Sequence, residues 1–374
     1  MFLDTYRVNN DAFLTDELWL GPIAYTQRNI MTPYAALRGR LQPKFTINNL
    51  RLSYAIARTL CSHHPDKQEY YLDTMASYLG LLNIVLHPTP DNEFLLIKDR
   101  VKRLRDFSRT SRIGELAQGI NYLFTQERLG YPFIVDYHFF CDRIGVDTSG
   151  QTPDFVVLSP DARILGLMES KGEGPLTRFS VKGKLKSAIK QLRAARRKLR
   201  SHLPPINPSR IIPCCTKFSS ADGGVSTIHY SHIVNRRAGD PGRSALQLFK
   251  IHYASWFYMV GDFARAQQLV ANEPMLPIPE EGDIYTFDPE LKVYWVEAIR
   301  VNTESAGSLI HFGFDSWHPH PRRRNFAIGI HQSVVNVLTQ DSDTIENFEV
   351  EASESEGNYE WFKDATVIRF RREG

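Results

Sequence analysis

The chain has 374 residues, of which 42% are hydrophobic and 23% are charged, and its formal net charge is +3. This composition is typical of a globular protein and argues against a chain that is disordered throughout. The net charge is too small to indicate nucleic-acid binding, so any such argument must come from where the charges lie.

Cysteine use and hydropathy favour an intracellular setting. The four cysteines include no CxxC pair and are too few for a disulfide framework in a chain of this length. The first residues lack the basic start and apolar core of a signal peptide, and no stretch approaches the roughly 18 apolar residues of a membrane span. We therefore expect a cytoplasmic protein that does not contact membranes.

Residues 1–105 are predicted to form a mainly helical accessory region. Stretches with helical spacing of apolar residues occur at 50–61 and 70–85. Polar and proline-containing breaks at 63–65 and 87–90 end these two stretches.

Residues 106–235 have the pattern of a mixed core. Apolar residues recur at helical spacing over 111–128, and three runs rich in Val, Ile, Leu and Phe come next at 133–141, 153–158 and 163–170. Turn-forming residues separate these runs, which predicts an antiparallel meander. A helix over 181–203 and a strand over 211–218 complete the order helix, three strands, helix, strand.

Residues 236–374 are predicted to form a mixed α/β accessory region. A helical stretch at 244–271 precedes strand-like segments at 292–301 and 326–337. The segment 341–364 carries nine acidic residues against one lysine, a pattern typical of a solvated face or a mobile tail.

Charged residues occur at the ends of two runs of the predicted meander. Asp154 begins an apolar run, and Glu169 and Lys171 end the next run after a gap of 14 residues. Because side chains alternate along a strand, Glu169 and Lys171 project from one face, about 7 Å apart. Pairing of the two runs as a hairpin would bring Asp154 beside them.

Two clustered carboxylates and a lysine suit phosphodiester hydrolysis. The carboxylates can hold one or two divalent cations, which bind the phosphate and lower the pKa of an attacking water toward about 7. Oxygen ligands favour Mg²⁺, with Mn²⁺ as a substitute. The lysine can orient the water, help to deprotonate it and offset negative charge.

The motif Pro153-Asp154, the 14-residue gap and Glu169-Ser170-Lys171 resemble the signature of the PD-(D/E)xK superfamily of restriction-endonuclease-like nucleases. The resemblance covers about residues 110–218 and extends to the order of helices and strands. It implies an α/β (α+β) fold in which helices flank a mixed central sheet.

The resemblance also implies two further catalytic residues and a biological setting. Glu115 in the first helix matches the place of an additional acidic metal ligand, and Gln191 matches a glutamine in the helix after the ExK strand. The implied activity is a DNA endonuclease in restriction or anti-phage defence, although repair, recombination, transposition and toxin nucleases use the same core. A homodimer or a partner protein is a candidate assembly.

The helix predicted over 181–203 has a basic face, and no Asp or Glu occurs from 174 to 221. Five cations share one side of this helix: Lys182, Lys186, Lys190, Arg193 and Arg197. The opposite side forms the expected buried stripe: Leu185, Ala188, Leu192, Ala195 and Leu199. We expect the basic face to contact the phosphate backbone of DNA, with RNA as the alternative polymer.

Other interpretations stay open at each position. Asp154 could be a turn residue at the start of a strand, and Glu169 with Lys171 could be an exposed surface pair. Glu115 could merely favour the first turns of its helix through the dipole. The chain could also be a binding or assembly protein that no longer cuts, or an interaction module built around the acidic segment. That segment could also cover the basic helix.

Three remaining clusters carry weaker arguments. Residues 316–324 combine Trp, His and Arg side chains that could contact nucleic acid, although a polar surface loop is the favoured interpretation. His63-His64 and Cys214-Cys215 lack the spacing of a zinc site, so packing or surface roles are expected.

Overall fold

A computed structural model describes residues 5–12, 44–60, 74–75, 77–82, 86, 93–104, 106–175, 180–220, 224–234, 241–279, 284–301, 324–340 and 359–372. These residues form an eight-stranded mixed sheet and a five-stranded sheet, both accompanied by helices. The expected mixed α/β architecture with a central mixed sheet flanked by helices is therefore confirmed.

The eight-stranded sheet contains the strands nearest the candidate site. Its members are β1 (Thr5–Ala12), β2 (Lys44–Asn48), β3 (Phe133–Asp136), β4 (Phe155–Leu158), β5 (Leu165–Glu173), β6 (Arg210–Lys217), β7 (Thr227–Tyr230) and β8 (Ile233–Val234). The order is β2-β1-β7-β6-β5-β4-β3, and β8 also pairs with β6. Strands β3, β4 and β5 form an antiparallel meander, whereas β5 and β6 are parallel.

The helices and the second sheet complete the fold. The helices are α1 (Asn49–Leu60), α2 (Lys98–Arg103), α3 (Asp106–Glu127), α4 (Tyr137–Ile144), α5 (Val181–Ser201), α6 (Arg243–Met259), α7 (Phe263–Val270) and α8 (Gln332–Thr339). The second sheet contains β9 (Tyr285–Asp288), β10 (Val293–Val301), β11 (Arg324–His331), β12 (Tyr359–Trp361) and β13 (Thr366–Arg372), all antiparallel. Within the described part of the chain, no helix combines the length and the apolar character needed to cross a membrane.

The central elements have the predicted order with one insertion. Helix α4 stands between β3 and β4, so the prediction of a strand over residues 137–141 is wrong. Asp136 ends the strand and caps the helix, because its carboxylate accepts a hydrogen bond from the Phe139 backbone N–H at 2.9 Å. Gly145 ends α4 in the left-handed conformation, with φ at 73°.

Two predicted elements after residue 236 are divided in the structure. The helical stretch 244–271 consists of α6 and α7, separated near Gly261, whose φ of +82° breaks a right-handed helix. The segment 326–337 is a strand only as far as His331, so its prediction as a strand throughout is wrong. The His331 ring accepts a hydrogen bond from the Ser333 backbone N–H at 3.2 Å and thereby caps α8.

The first 105 residues contribute strands to the central sheet as well as helices. Strand β1 pairs with β2 and with β7. The expectation of a mainly helical region missed β1 because Asn9, Asn10 and Asp11 have low strand propensity. One hydrophobic cluster includes Val8 and Ile368, so the core continues across residues 105 and 235, and the division there stays a prediction.

The acidic segment overlaps the second sheet. Glu360 accepts a hydrogen bond from the Asn48 amide at 2.8 Å, and Asp364 is 1% exposed. The expectation of a solvated face or mobile tail is therefore wrong for these two residues, because both are packed against buried polar partners. Residues 341–358 lie outside the described residues, as do residues 316–323, His63 and His64.

Candidate active site

The hairpin of β4 and β5 brings Asp154 and Glu169 together. Phe155 pairs with Met168, so the next position in register places Asp154 beside Glu169. Each carboxylate accepts a hydrogen bond from a backbone N–H across the hairpin. Glu169 Oε2 accepts a hydrogen bond from the Asp154 N–H at 3.0 Å, and Asp154 Oδ2 accepts one from the Ser170 N–H at 2.7 Å. Each carboxylate is thus fixed by the backbone of the opposite strand.

Lys171 completes this group on the same face of β5. Its Nζ donates a hydrogen bond to Glu169 Oε1. The Glu169 side chain is 1% exposed and that of Lys171 is 26% exposed, which excludes the interpretation of an exposed surface pair for Glu169. A buried carboxylate in this position needs compensating charge.

The face that carries Glu169 and Lys171 is covered by α5. Lys171 pairs in register with Cys215 of β6, and residues paired in this way project to the same side of a sheet. Cys215 packs against Leu185 and Ile189 of α5. The carboxylate pair and the basic helix therefore lie on one side of the central sheet.

Burial raises the pKa values of both carboxyls above their usual range. For Glu169 the neighbouring charge of Asp154 adds to this effect, and Lys171 opposes it. For Asp154 the hydrogen bond from Ser170 and the charge of Lys171 work against burial. Two buried carboxylates beside one lysine are short of positive charge, and a divalent cation would supply it.

The pair offers what a magnesium ion uses in proteins. Mg²⁺ keeps several waters and binds through one or two carboxylates together with substrate phosphates. Asp154 and Glu169 provide those two carboxylates, and each is held in place by a backbone N–H of the opposite strand. Burial is the largest cause of their raised pKa values, and a cation held by the pair would offset the cost of keeping both carboxylates ionised there.

Gln191 lies beside the segment that leads to Asp154. Its Nε2 donates to the Thr152 carbonyl at 3.3 Å. The Thr152 hydroxyl shares a hydrogen bond of 2.7 Å with the ring of His138, an exposed residue of α4. Gln191 thus reaches the backbone near the carboxylate pair without contacting the carboxylates.

Sequence reasoning missed two titratable neighbours of Asp154. Asp136 raises the pKa of Asp154 and His138 lowers it, although burial is the largest effect. Asp136 was detectable in principle, because it ends an apolar run that must pair with the run following Asp154. His138 was not, since its position depends on α4, which the pattern did not predict.

The structure does not bring Glu115 into this group. Asn121 of α3 donates to the Ser170 hydroxyl at 2.8 Å, so α3 covers the opposite face of β5 from Glu169 and Lys171. The Glu115 carboxylate is held by the Tyr78 hydroxyl and by Arg112 Nη1, and burial raises its pKa. Among the described residues, no three His, Cys, Asp or Glu side chains are grouped so that they could hold a metal ion.

The basic helix has the predicted orientation. All five residues of the expected stripe are 0% exposed: Leu185, Ala188, Leu192, Ala195 and Leu199. On the other side, Lys182, Lys190 and Arg197 are exposed, while Lys186 and Arg193 are half-buried.

Cations on α5 also act on one another. Partial burial lowers the pKa of Arg193, and the charge of Arg197 lowers it further. The pKa of Arg196 is lowered by burial and by Arg200 and Arg193. Like charges held this close favour the approach of a polyanion.

Comparison with known proteins identifies no relative, because no protein family, curated protein or solved structure matches the chain. The function must therefore be argued from the site itself.

Proposed function

We propose that the chain is a divalent-cation-dependent nuclease that hydrolyses phosphodiester bonds of DNA, with a core of the PD-(D/E)xK class. The observation that carries this proposal is the buried pair of Asp154 and Glu169 with Lys171 bonded to it. Two carboxylates placed side by side in a buried position, with pKa values raised by burial, are a pattern that clusters at functional sites.

In this proposal Asp154 and Glu169 hold Mg²⁺, or Mn²⁺ in its place. When bound, the cation offsets the charge of the phosphate and lowers the pKa of water. Lys171 has its ammonium group at Glu169, where it can donate to a water or to a phosphate oxygen as negative charge develops. Gln191 is a positioning residue, because it holds the Thr152 carbonyl two residues before Asp154.

The proposed substrate follows from the charges of α5. The helix presents its cations on the side of the sheet that carries the carboxylate pair, so a polymer of phosphates can contact both. DNA rather than RNA, and a setting in restriction or anti-phage defence, are proposed from the resemblance to the superfamily. A homodimer or a partner protein fits that setting.

A cleavage assay tests this function. Supercoiled, linear and single-stranded DNA and RNA are incubated with the chain in Mg²⁺, in Mn²⁺ and with chelator. We expect cation-dependent cutting of DNA, and we expect Glu169→Gln and Lys171→Gln each to reduce the rate by about 100-fold or more. Undiminished cutting by both variants would refute the catalytic assignment.

Glu173→Gln is the matched control. Glu173 lies on the same strand and face as Glu169, is 5% exposed and has no hydrogen-bond partner for its Oε2 among the described residues. This variant should cut at the wild-type rate. That result would show that loss of any buried carboxylate on β5 does not by itself reduce the rate of cutting. Tight DNA binding without cutting by the wild type would instead favour a binding or assembly protein.

A further inference from the structure

A cavity opens at the end of β5, beyond the carboxylate pair. Its walls come from Arg109, Thr110 and Ile113 of α3 and from Lys184 of α5, and its floor includes Gly172 and Gly174. The cavity has a volume of about 100 Å³ and opens to solvent. It is large enough for a phosphate group.

The close approach of α3 to β5 shapes this cavity. A Cβ atom on Gly172 would lie 2.6 Å from the Ile113 carbonyl oxygen and 2.9 Å from Ala117 Cβ, distances that a side chain cannot adopt. Only a residue without a side chain lets the helix backbone rest on the strand here. As a result the first turns of α3, with Arg109 and Thr110, reach the end of β5.

The chemistry of the walls selects an anion. Arg109 and Lys184 supply two positive charges and Thr110 a hydroxyl, whereas no Asp or Glu is among the described residues that line the cavity. Lys184 is fixed by donating to the Gly172 carbonyl at 2.8 Å, which uses one of its three N–H donors. Arginine, lysine and threonine are the side chains that commonly contact nucleic-acid phosphates.

Glu173 does not reverse this charge. Its side chain faces Lys184 and Lys217, and burial raises its pKa while both lysines lower it. One carboxyl faces two lysines here, so Glu173 does not outweigh their positive charge.

We propose that this cavity binds a backbone phosphate of the substrate strand close to the phosphate that is cut. The inference rests on the proposed nuclease function and deepens it by naming where the strand leaves the site. Strand β5 rises about 3.3 Å per residue, so Gly172 lies about 10 Å from Glu169 along the strand. The floor glycines lie on the face of β5 that α3 covers, whereas Lys184 lies on α5, so the cavity is at the end of β5 where the two faces meet.

Binding of a fluorescent DNA duplex tests the cavity. The wild type is compared with the double variant Arg109→Gln/Lys184→Gln and with Arg163→Gln, an exposed residue near the opposite end of β5. We expect the double variant to lose affinity by about 10-fold and its salt slope to fall by about one, as for loss of one phosphate contact. Arg163→Gln should match the wild type. A double variant that matches Arg163→Gln in both quantities overturns the proposal.

A second measurement needs no variant protein and therefore does not depend on folding of the double variant. A set of six duplexes is prepared, and each duplex carries a single neutral methylphosphonate linkage. The six linkages occupy the three positions on either side of the mapped cut. The wild type should lose affinity at one of these positions, and the double variant, where it folds, should be insensitive at that position. Equal affinity of the wild type for all substituted duplexes overturns the proposal.

Two outcomes separate this inference from the proposed function. A chain that neither binds nor cuts DNA overturns both. In the second outcome, the wild type cuts DNA and binds every substituted duplex with equal affinity, and only the double variant fails to bind inorganic phosphate. The nuclease function is then retained. The cavity would then be a site for a free anion, and the strand-binding role would be overturned.

Discussion

Substitution of Gly172 by alanine should weaken both the fold and the proposed site. The new Cβ would meet the Ile113 carbonyl oxygen at 2.6 Å and Ala117 Cβ at 2.9 Å, and the first of these is helix backbone that cannot rotate away. Overpacking of this kind costs about 1–3 kcal/mol. Loss of the glycine's freedom in the unfolded chain returns about 0.5–1 kcal/mol. We therefore expect a net destabilisation of about 1–2 kcal/mol.

The same substitution should also slow cleavage. Lys171 directly precedes Gly172, so a strand pushed away from α3 carries the lysine with it. A displacement of about 1 Å in a catalytic group can reduce the rate about 100-fold, and a smaller shift should reduce it about 10-fold.

Gly174→Ala provides the comparison. A Cβ on Gly174 would have its nearest neighbour, Ile113 Cγ1, at 3.4 Å, which is an ordinary contact. Chemical denaturation of both variants measures the difference in unfolding free energy, and a cleavage assay measures the rate. If Gly172→Ala is as stable as Gly174→Ala and cleaves as fast as the wild type, the close packing of α3 on β5 does not hold Lys171 in place.

Three further predictions concern charged residues. Glu115→Gln should leave cleavage at the wild-type rate, because Glu115 faces away from Asp154 and Glu169. A loss of about 10-fold to 100-fold would instead indicate that Glu115 supports metal binding. Glu169→Gln should raise stability at pH 8 without divalent cations. Burial raises the pKa of Glu169 from its ordinary 4.5 to about 8, so the wild type loses stability as the pH rises through this window, and the gain of the variant should vanish in denaturation at pH 4. Asp364→Asn should lower stability at pH 7 by about 3 kcal/mol, because it leaves the buried Arg58 uncompensated. Against burial, the hydrogen bond and charge of His252, then the charge of Arg58 and a hydrogen bond from Thr366, hold the pKa of Asp364 at about 2. This difference should therefore shrink as the pH falls from about 4 toward 2.

The pairing of Asp154 with Glu169 was predictable because it depends on local rules. A hairpin with a fixed loop sets which residues oppose each other, and alternation along β5 sets which face each side chain takes. The same holds for α5, where Leu185 and Leu199 mark the buried side. Periodicity within one element and pairing between consecutive strands were enough for these predictions.

The position of Glu115 was not predictable in this way. Its distance from the pair depends on which face of β5 is covered by α3 and on how that helix is rotated. The contact of Gly172 with α3 and the hydrogen bond from Asn121 to Ser170 determine the covered face and the rotation of the helix. The spacing of apolar residues within α3 does not reveal these contacts with β5. The resemblance supplied the expected residue type at the expected place in the sequence, but it could not supply the rotation.

Contacts between distant segments set a second limit. Arg58 donates to the His252 carbonyl at 3.1 Å, and His252 Nε2 donates to Asp364 at 2.8 Å, so three segments separated by more than 100 residues share one buried group. Asp364 belongs to an acidic segment whose composition indicated solvent exposure. Composition describes an average over that segment, whereas burial of Asp364 depends on two residues elsewhere in the chain.

The central sheet carries two unbalanced groups of charge, the buried carboxylates of Asp154 and Glu169 and the cations of α5. Together they favour the proposal of hydrolysis over DNA binding alone. A protein that only binds DNA needs the cations of α5 but gains nothing from buried carboxylates beside them, because those carboxylates repel phosphate and destabilise the fold. Under the proposed function, a divalent cation held by Asp154 and Glu169 would change the sign of that interaction. The pair would then favour a phosphate, and the cations of α5 would contact neighbouring phosphates of the same polymer. The charges of the site would therefore be balanced only with both a cation and a phosphate polymer, which is the condition that the proposed cleavage requires.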